Sequence, residues 1–142
     1  MRLDEAEIRS IMGDNVVSDG KQTQKRSALR CAAEKILDAN VQHAGDLAQA
    51  DPAAVKRAYT SVPGLGWVTI EYFLMLLGQP GIKADIMITR FVNAALREEN
   101  LPTVNARGAH EILKTVYAET DAARDLGLTG FDHTIWSWQR KQ

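Results

Sequence analysis

The sequence predicts an all-α fold, and three features of the 142-residue chain support this prediction. Apolar residues recur at helical spacing in most segments. Residues that start helices (Asp, Asn, Pro) and residues that end them (Gly) separate these segments. We find no alternating strand pattern, low-complexity tract, interdomain linker or internal repeat. One helical domain, a bundle or partial barrel, is therefore expected over residues 1–142, since this length is enough to bury a core.

Three helices are expected in the first part of the chain. They run from Asp4 to Met12, from Lys25 to Ala39, and from Asp51-Pro52 to about Thr60. Gly13 and Asn40 end the first two, and Asp51 with Pro52 forms a strong helix start. A polar loop and a short turn connect them, at Asn15–Thr23 and His43–Ala50. The second helix shows an apolar face made of Leu29, Ala32, Ala33, Ile36 and Leu37.

The second part of the chain predicts a tight hairpin and four more helices. The hairpin is Ser61–Gly66, and the four helices are Trp67–Leu77, Asp85–Glu98, Asn105–Glu119 and Phe131–Arg140. The segments that separate the helices are Gly78 with the loop Gln79–Ala84, a break at Leu101-Pro102, and a loop containing Gly127 and Gly130.

Composition excludes several classes of protein. The net charge of −1 gives no general attraction to nucleic acid or membrane, so DNA binding would depend on a local surface. Cys31 is the only cysteine, which excludes an internal disulfide and a cysteine cluster; we expect it to be a small core residue. The longest apolar run, Phe73–Leu77, is too short to cross a bilayer, and the N-terminus has no apolar signal region. A cytoplasmic protein without membrane contact is expected, nucleoid-associated if it binds DNA.

The hairpin Pro63-Gly64-Leu65-Gly66 has the local chemistry of an anion site. Its two glycines permit unusual backbone angles and let a ligand approach bare N–H groups. The helix that follows directs its positive end to the same place. The alternative is a tight corner between two helices that binds no ligand.

A larger pattern resembles the helix-hairpin-helix superfamily of DNA base-excision-repair glycosylases, which includes endonuclease III. The resemblance covers roughly Lys25–Arg140. The matching parts, in order, are Val62-Pro63-Gly64-Leu65-Gly66, Thr69, the apolar helix Tyr72–Leu77, the loop Gly78–Lys83, Asp85, and Arg90-Phe91-Val92. The hairpin and the aspartate occur together at the distance that the superfamily shows, which makes the resemblance specific.

The resemblance implies that the hairpin binds the backbone of double-stranded DNA beside a damaged base. The implied backbone-binding residues are Pro63, Gly64, Leu65, Gly66, Thr69 and Arg90, of which Arg90 would contact phosphate or brace the hairpin. A monovalent cation is implied at the carbonyls of Thr60, Val62 and Leu65. The N–H groups of Gly64 and Gly66 would face the phosphate. Such contacts position a protein on DNA without reading its sequence.

Asp85 is implied as the catalytic carboxylate by the same resemblance. From position alone it is a helix N-cap, and one carboxylate can serve both roles. Breaking the bond between base and sugar builds positive charge on the sugar, which a fixed carboxylate stabilises. The base must first be flipped out of the stack.

Relatives with lyase activity carry a lysine nucleophile just after the hairpin, where this chain has Val68. Lys83, two residues before Asp85, is expected to be a solvated loop lysine, with an approach to the site as the alternative. The resemblance therefore implies a monofunctional glycosylase that leaves an intact abasic site. The four cysteines of the iron–sulfur relatives are missing, so no cluster is expected.

One departure from the family is larger. Several helices normally precede the segment matching Lys25 onward and complete a barrel, whereas only Met1–Gln24 precedes it here. We therefore expect an incomplete cleft, which has three explanations. The chain is a fragment, it completes its barrel with a second copy or a partner, or it has lost catalysis. Three functions stay open: a glycosylase, a non-catalytic DNA-binding module, and a subunit of a larger assembly.

The remaining candidates are aromatic and basic residues. Trp67, where the hairpin meets its second helix, is a candidate for contact with DNA or a base pocket. Trp136 and Trp138 are two positions apart on one helix, so one of them is expected to be exposed and to mark an interface. A basic cluster is expected to be a solvated face, with phosphate contact as the alternative; it comprises Lys21, Lys25, Arg26 and Arg30. The three histidines show no metal spacing and are expected at the surface or at caps.

Overall fold

The computed structural model describes residues 4–17 and 23–142, and within them the chain is helical. In order, the elements are α1 (Glu5–Met12), α2 (Lys25–Asp38), a 3₁₀ helix (Ala44–Ala48), α3 (Pro52–Thr60), α4 (Trp67–Leu76), α5 (Ile86–Glu98), α6 (Ala106–Glu119), α7 (Asp121–Asp125) and α8 (Leu128–Gln139). The described residues contain no strand, only an isolated bridge between Val16 and Gln24. The predicted all-α class is confirmed.

The chain divides into two compact units, one ending at Ile70 and the other beginning at Glu71, so the boundary falls inside α4. In the described ranges, no helix is both long enough and apolar enough to cross a membrane.

Most helix ends follow from local chemistry, as predicted. The side chains of Asp51, Asp85 and Asn105 each accept hydrogen bonds from backbone N–H groups in the first turn of the following helix. Asn40 and Gly78 follow the ends of α2 and α4 with positive φ angles of 61° and 86°.

In the first unit, α2 packs against both α1 and α3. Its buried residues repeat every fourth position, at Ala28, Ala32 and Ile36. The predicted apolar face does not coincide with this buried stripe, since two of its residues, Leu29 and Leu37, are 42% and 50% exposed. The helix has apolar residues on more than one side, and the packing of its neighbours decides which side is buried. Cys31 is half-buried beside the stripe. Other buried residues of this unit are Val41, Leu47, Val55, Tyr59, Val62, Leu65 and Ile70.

In the second unit, α5 packs against α6 and α8, and α7 contacts α6 and α8. Its core is formed by Leu74, Ile82, Ala84, Ile88, Val92, Ala109, Leu113, Ala123 and Ile135. Two predictions were wrong here, because α7 was not expected and α8 begins at Leu128 instead of Phe131. Gly127 is the residue with positive φ, at 68°, and it precedes α8. Gly130 has an ordinary φ and lies inside the helix, so it is not a breaker.

Candidate functional site

The hairpin between α3 and α4 is anchored by two buried side chains, Val62 and Leu65. The amide of Leu65 donates to the Val62 carbonyl at 3.1 Å, which closes a tight turn. Gly64 lies between them with φ of 82°, an angle that other residues rarely adopt. The turn therefore needs glycine at this position.

Thr69 fixes the corner where the hairpin becomes α4. Its hydroxyl donates to the Gly66 carbonyl at 2.6 Å, and the amides of Thr69 and Ile70 donate to the same oxygen at 3.1 Å. The side chain of Thr69 also shares a hydrogen bond with the hydroxyl of buried Tyr59, whose pKa is raised by burial. Thr69 thus holds α3 and α4 together, and its predicted DNA contact stays a prediction.

Pro63, Gly64 and Gly66 are exposed at the hairpin, as is Ser61 at its start. The amides of Gly64 and Gly66 donate no hydrogen bond to any other described residue. They lie at the start of α4, where the helix dipole favours an anion. The predicted cation ligands, the carbonyls of Thr60, Val62 and Leu65, belong to the same turn, and that of Val62 already accepts the amide of Leu65.

A cavity of about 410 Å³ lies beside the hairpin within the first unit. Its lining residues are Val16, Val17, Lys25, Leu29, Gly64, Leu65 and Thr69. Lys25 is exposed and has no ion-pair partner among the residues described. Lys25 is therefore the basic residue of this cavity that could bind a phosphate.

In the rest of the basic cluster, Arg26 departs from the predicted solvated face and Arg30 is exposed as predicted. Arg26 is not part of a solvated face, because its side chain is 11% exposed and its guanidinium lies 2.6 Å from the Asp14 carboxylate. The two arginines Arg9 and Arg26 bond Asp14 and lower the pKa of its carboxyl. Arg30 pairs with Glu34 at 3.8 Å, and Lys21 lies outside the described residues.

In the second unit, Asp85 holds the start of α5 with one carboxylate oxygen. Its Oδ1 accepts from the amides of Met87 and Ile88 at 2.9 and 3.2 Å. Its Oδ2 lies 2.8 Å from Nζ of Lys83, and both side chains are about one-fifth exposed, at 21% and 22%. The predicted N-cap is confirmed, and the second oxygen is held in a part-buried ion pair.

The prediction of a solvated Lys83 was wrong. The Asp85 amide donates to the Lys83 carbonyl at 2.6 Å, so the backbone turns sharply between the two residues. This turn brings the lysine side chain back beside the carboxylate. The Nζ atom also lies 4.5 Å from the centre of the Tyr72 ring, within the range of a cation–π contact.

Asp132 in α8 is a third polar member of this cluster, and the sequence did not indicate it. It is only 6% exposed, and its Oδ1 accepts from the Lys83 amide at 2.9 Å. Its Oδ2 has no hydrogen-bond partner in the described part of the chain. Burial raises the pKa of Asp132 to about 6, although the hydrogen bond from Lys83 and the charge of that lysine act in the opposite direction.

A cavity of about 340 Å³ opens at this cluster. It is lined by Tyr72, Met75, Leu76, Lys83, Thr129, Asp132, His133 and Trp136. The Trp136 ring is stacked on His133 at 6.2 Å and faces the Arg140 guanidinium at 5.3 Å. Apolar and aromatic walls with a few convergent polar groups are typical of a small-molecule site, and the volume lies within the usual range of roughly 300–1,000 Å³.

The other predicted residues lie outside this cluster. Trp138 is 50% exposed and contacts Phe91 edge to face at 5.4 Å, which confirms that one tryptophan of the last helix is exposed. Arg90 is exposed on α5, and Trp67 is half-buried at the start of α4. Their proposed contacts with DNA stay predictions.

Comparison with known proteins identifies the family without identifying an activity. Over residues 2–140 the chain matches the family described as a domain of unknown function, DUF8548, and it belongs to that family. No curated protein matches the chain. No solved structure matches it either.

Proposed function

We propose that this protein is a DNA-repair-type monofunctional glycosylase, which hydrolyses the bond between a damaged or mispaired base and its sugar. The observation that carries the proposal is the Asp85 carboxylate, fixed by two amides and the Lys83 ammonium beside an aromatic-walled cavity. The resemblance of the surrounding motif to base-excision glycosylases supports the same role. The expected product is an intact abasic site.

The chemistry needs a carboxylate that does not move. As the bond from C1′ to the base breaks, positive charge develops on the sugar, and a preorganised negative group stabilises it. The same group orients the attacking water. Because Asp85 caps α5 through Oδ1 and contacts Lys83 through Oδ2, its position is set before any substrate arrives.

The cavity supplies a place for a flipped base. An enzyme that acts on a base inside a duplex must take it out of the stack and hold it between aromatic or apolar side chains. Tyr72 and Trp136 provide aromatic surface in the cavity, and Met75 provides apolar surface. Lys83 and Asp132 provide hydrogen-bonding groups in the same wall.

The hairpin supplies binding to the DNA backbone. The amides of Gly64 and Gly66, which donate to no other residue in the described ranges, suit a phosphate, and Lys25 adds a positive charge beside them. Binding of this kind does not depend on sequence and weakens as salt rises. The net charge of −1 for the whole chain gives no general attraction to DNA, so affinity should be concentrated at this surface.

A non-catalytic DNA-binding module is the second candidate, and one observation favours it. Both oxygens of Asp85 already have partners, so the carboxylate has a complete structural role as a cap and an ion-pair member. Under this alternative the hairpin binds DNA and no base is released.

A subunit that completes its fold with a second copy or a partner is the third candidate. Exposed apolar side chains favour it, among them Leu76, Ile86 and Trp138, which are 66%, 63% and 50% exposed. The molecular mass in solution, measured by light scattering after size exclusion, distinguishes a monomer from a homo-oligomer.

The first experiment compares binding to an abasic-analogue duplex and to an undamaged duplex by fluorescence anisotropy at moderate salt. We expect a preference for the abasic duplex, since it resembles the product of any such glycosylase. Gly66→Ala tests the hairpin. The added Cβ meets no protein atom within 4 Å, so the fold should be undisturbed. DNA binding should weaken, because the methyl group stands beside the amide that would contact the phosphate. Gly45→Ala, which is equally open, is the matched control.

A second experiment measures base release from duplexes that carry a panel of damaged and mispaired bases. Asp85→Asn keeps the N-cap, since asparagine caps helices as well as aspartate does. We expect it to lower the rate of base release by about 100-fold or more while DNA binding persists. DNA binding without base release by the native protein would instead establish the non-catalytic module.

A further inference from the structure

Two carboxyl groups flank Lys83, and their surroundings differ. The side chain of Lys83 contacts Asp85, and its amide donates to Asp132. Asp85 is surrounded by donors, with two amides and an ammonium. Asp132 is 6% exposed and has one amide partner, while its second oxygen has none among the residues described.

We propose that Asp132 is the proton donor of this site, which protonates the departing base while Asp85 stabilises the sugar. The proposal rests on the proposed glycosidic cleavage and adds a second catalytic residue to it. Asp132 lines the same cavity as Tyr72 and Trp136, where a flipped base would sit. A pair of carboxyl groups with opposite environments is the arrangement that divides acid and base roles in glycoside hydrolysis.

The reaction balances with these two groups and water. The C1′–N bond breaks, and its electron pair goes to the base nitrogen, which takes the proton of Asp132. Water adds its oxygen to C1′ and loses a proton to the Asp85 carboxylate. The products are the neutral base and the abasic sugar, and the proton on Asp85 returns to Asp132 through solvent.

The charges around Asp132 suit this role. Burial is the main cause that raises its pKa to about 6, and the negative charge of Asp85 acts in the same direction. Lys83 and His133 act in the opposite direction, and Tyr72 lines the same cavity. An acid is most effective when its pKa lies near the working pH, because it is then protonated often enough and still releases its proton readily.

Asp132 also has a structural contact, so the test must separate two roles. Its Oδ1 holds the loop before α5 through the Lys83 amide. In Asp132→Asn the side-chain carbonyl keeps an acceptor for that amide, but the side chain has no proton to transfer. Asp125→Asn is the control, because it makes the same chemical change at an exposed carboxyl of α7.

The experiment measures single-turnover base release between pH 5 and 8.5, using the base that the native protein releases from the panel. We expect the native rate to fall as pH rises above about 6, following the pKa of Asp132. Asp132→Asn should lower the rate at pH 5.5 by about 100-fold, the lower end of the usual contribution of general acids, and should flatten the profile. Asp125→Asn should follow the native curve.

A second readout uses the same base carrying an electron-withdrawing halogen. This base leaves more easily as an anion, so it needs less proton donation, and the deficit of Asp132→Asn should shrink to about 10-fold or less. A structural defect would lower both rates equally.

The outcomes separate the two proposals. Base release by the native protein with an unchanged rate and pH profile in Asp132→Asn would overturn the role of Asp132 and leave the proposed function standing. Equal deficits for the two bases would also overturn it. No base release from any duplex would overturn both proposals, because no departing base would then need a proton.

Discussion

Replacing Asp132 by asparagine should stabilise the protein at neutral pH but not in acid. The pKa of this carboxyl rises from 3.8 to about 6 on folding, mainly because the group is buried. The folded state therefore holds the proton more tightly than the unfolded state. The contribution of Asp132 to stability is greatest below pH 3.8, falls as pH rises toward 6, and is constant above that window.

The size of the effect follows from the same values. The difference between 3.8 and about 6 corresponds to roughly 3 kcal/mol of unfolding free energy lost between acid and neutral pH. Asparagine does not ionise and keeps an oxygen that can accept from the Lys83 amide, but it gives up the attraction to the lysine charge. We therefore expect a gain of about 1–3 kcal/mol at pH 7.5, or roughly 3–9 °C in melting temperature for a chain of this size.

The assay is thermal and urea unfolding of the native protein and of Asp132→Asn at several pH values from 4 to 8. The difference in unfolding free energy between the two proteins should grow between pH 4 and 6 and then stay constant, while Asp125→Asn should show no such growth. A pH-independent difference, or a loss of stability at pH 7.5, would refute the reasoning. It would mean that Lys83 compensates for the burial of the carboxylate.

Two further predictions concern glycines of the second unit. Gly78→Ala should lower the free energy of unfolding by about 1–2 kcal/mol in a urea titration, because residue 78 has φ of 86° and no crowding, whereas Gly45→Ala should cost much less. Gly108→Ala should lower it by about 1–3 kcal/mol despite the better helix propensity of alanine, because the new Cβ would lie 2.7 Å from the Cβ of Val104; an unchanged urea midpoint would show that Val104 moves away freely.

Helix starts could be predicted from the sequence because capping depends on residues within one turn. Asp51, Asp85 and Asn105 all cap helices where the sequence placed them. The buried side of a helix was harder to predict, because it depends on partners distant in the chain. Leu29 and Leu37 fit an apolar face as well as Ala28 does, yet they are exposed.

In the candidate site, too, residues close together in the sequence could be predicted, whereas a residue brought in from far along the chain could not. The hairpin and Asp85 belong to one contiguous motif, so the sequence revealed them. Asp132 joins the cluster through a hydrogen bond to a residue 49 positions away, and only the packing of α8 creates it. In the sequence Asp132 stands between Phe131 and His133, and nothing in this segment shows that the carboxylate faces inward.

The ion pair between Lys83 and Asp85 decides whether the site is built before DNA binds, and a double-mutant cycle measures it. The two side chains are 22% and 21% exposed, and Nζ lies 2.8 Å from Oδ2. Exposed ion pairs contribute about 0.2–1 kcal/mol, whereas removing one partner of a buried pair costs about 3–5 kcal/mol. Because this pair is part-buried, we expect an intermediate coupling energy of about 1–2 kcal/mol between Lys83→Gln and Asp85→Asn. Each single variant should lose stability in urea unfolding, and the double variant should lose less than their sum. A coupling below about 0.3 kcal/mol would mean that water screens the pair, and Lys83 would then behave as the solvated loop lysine that the sequence predicts.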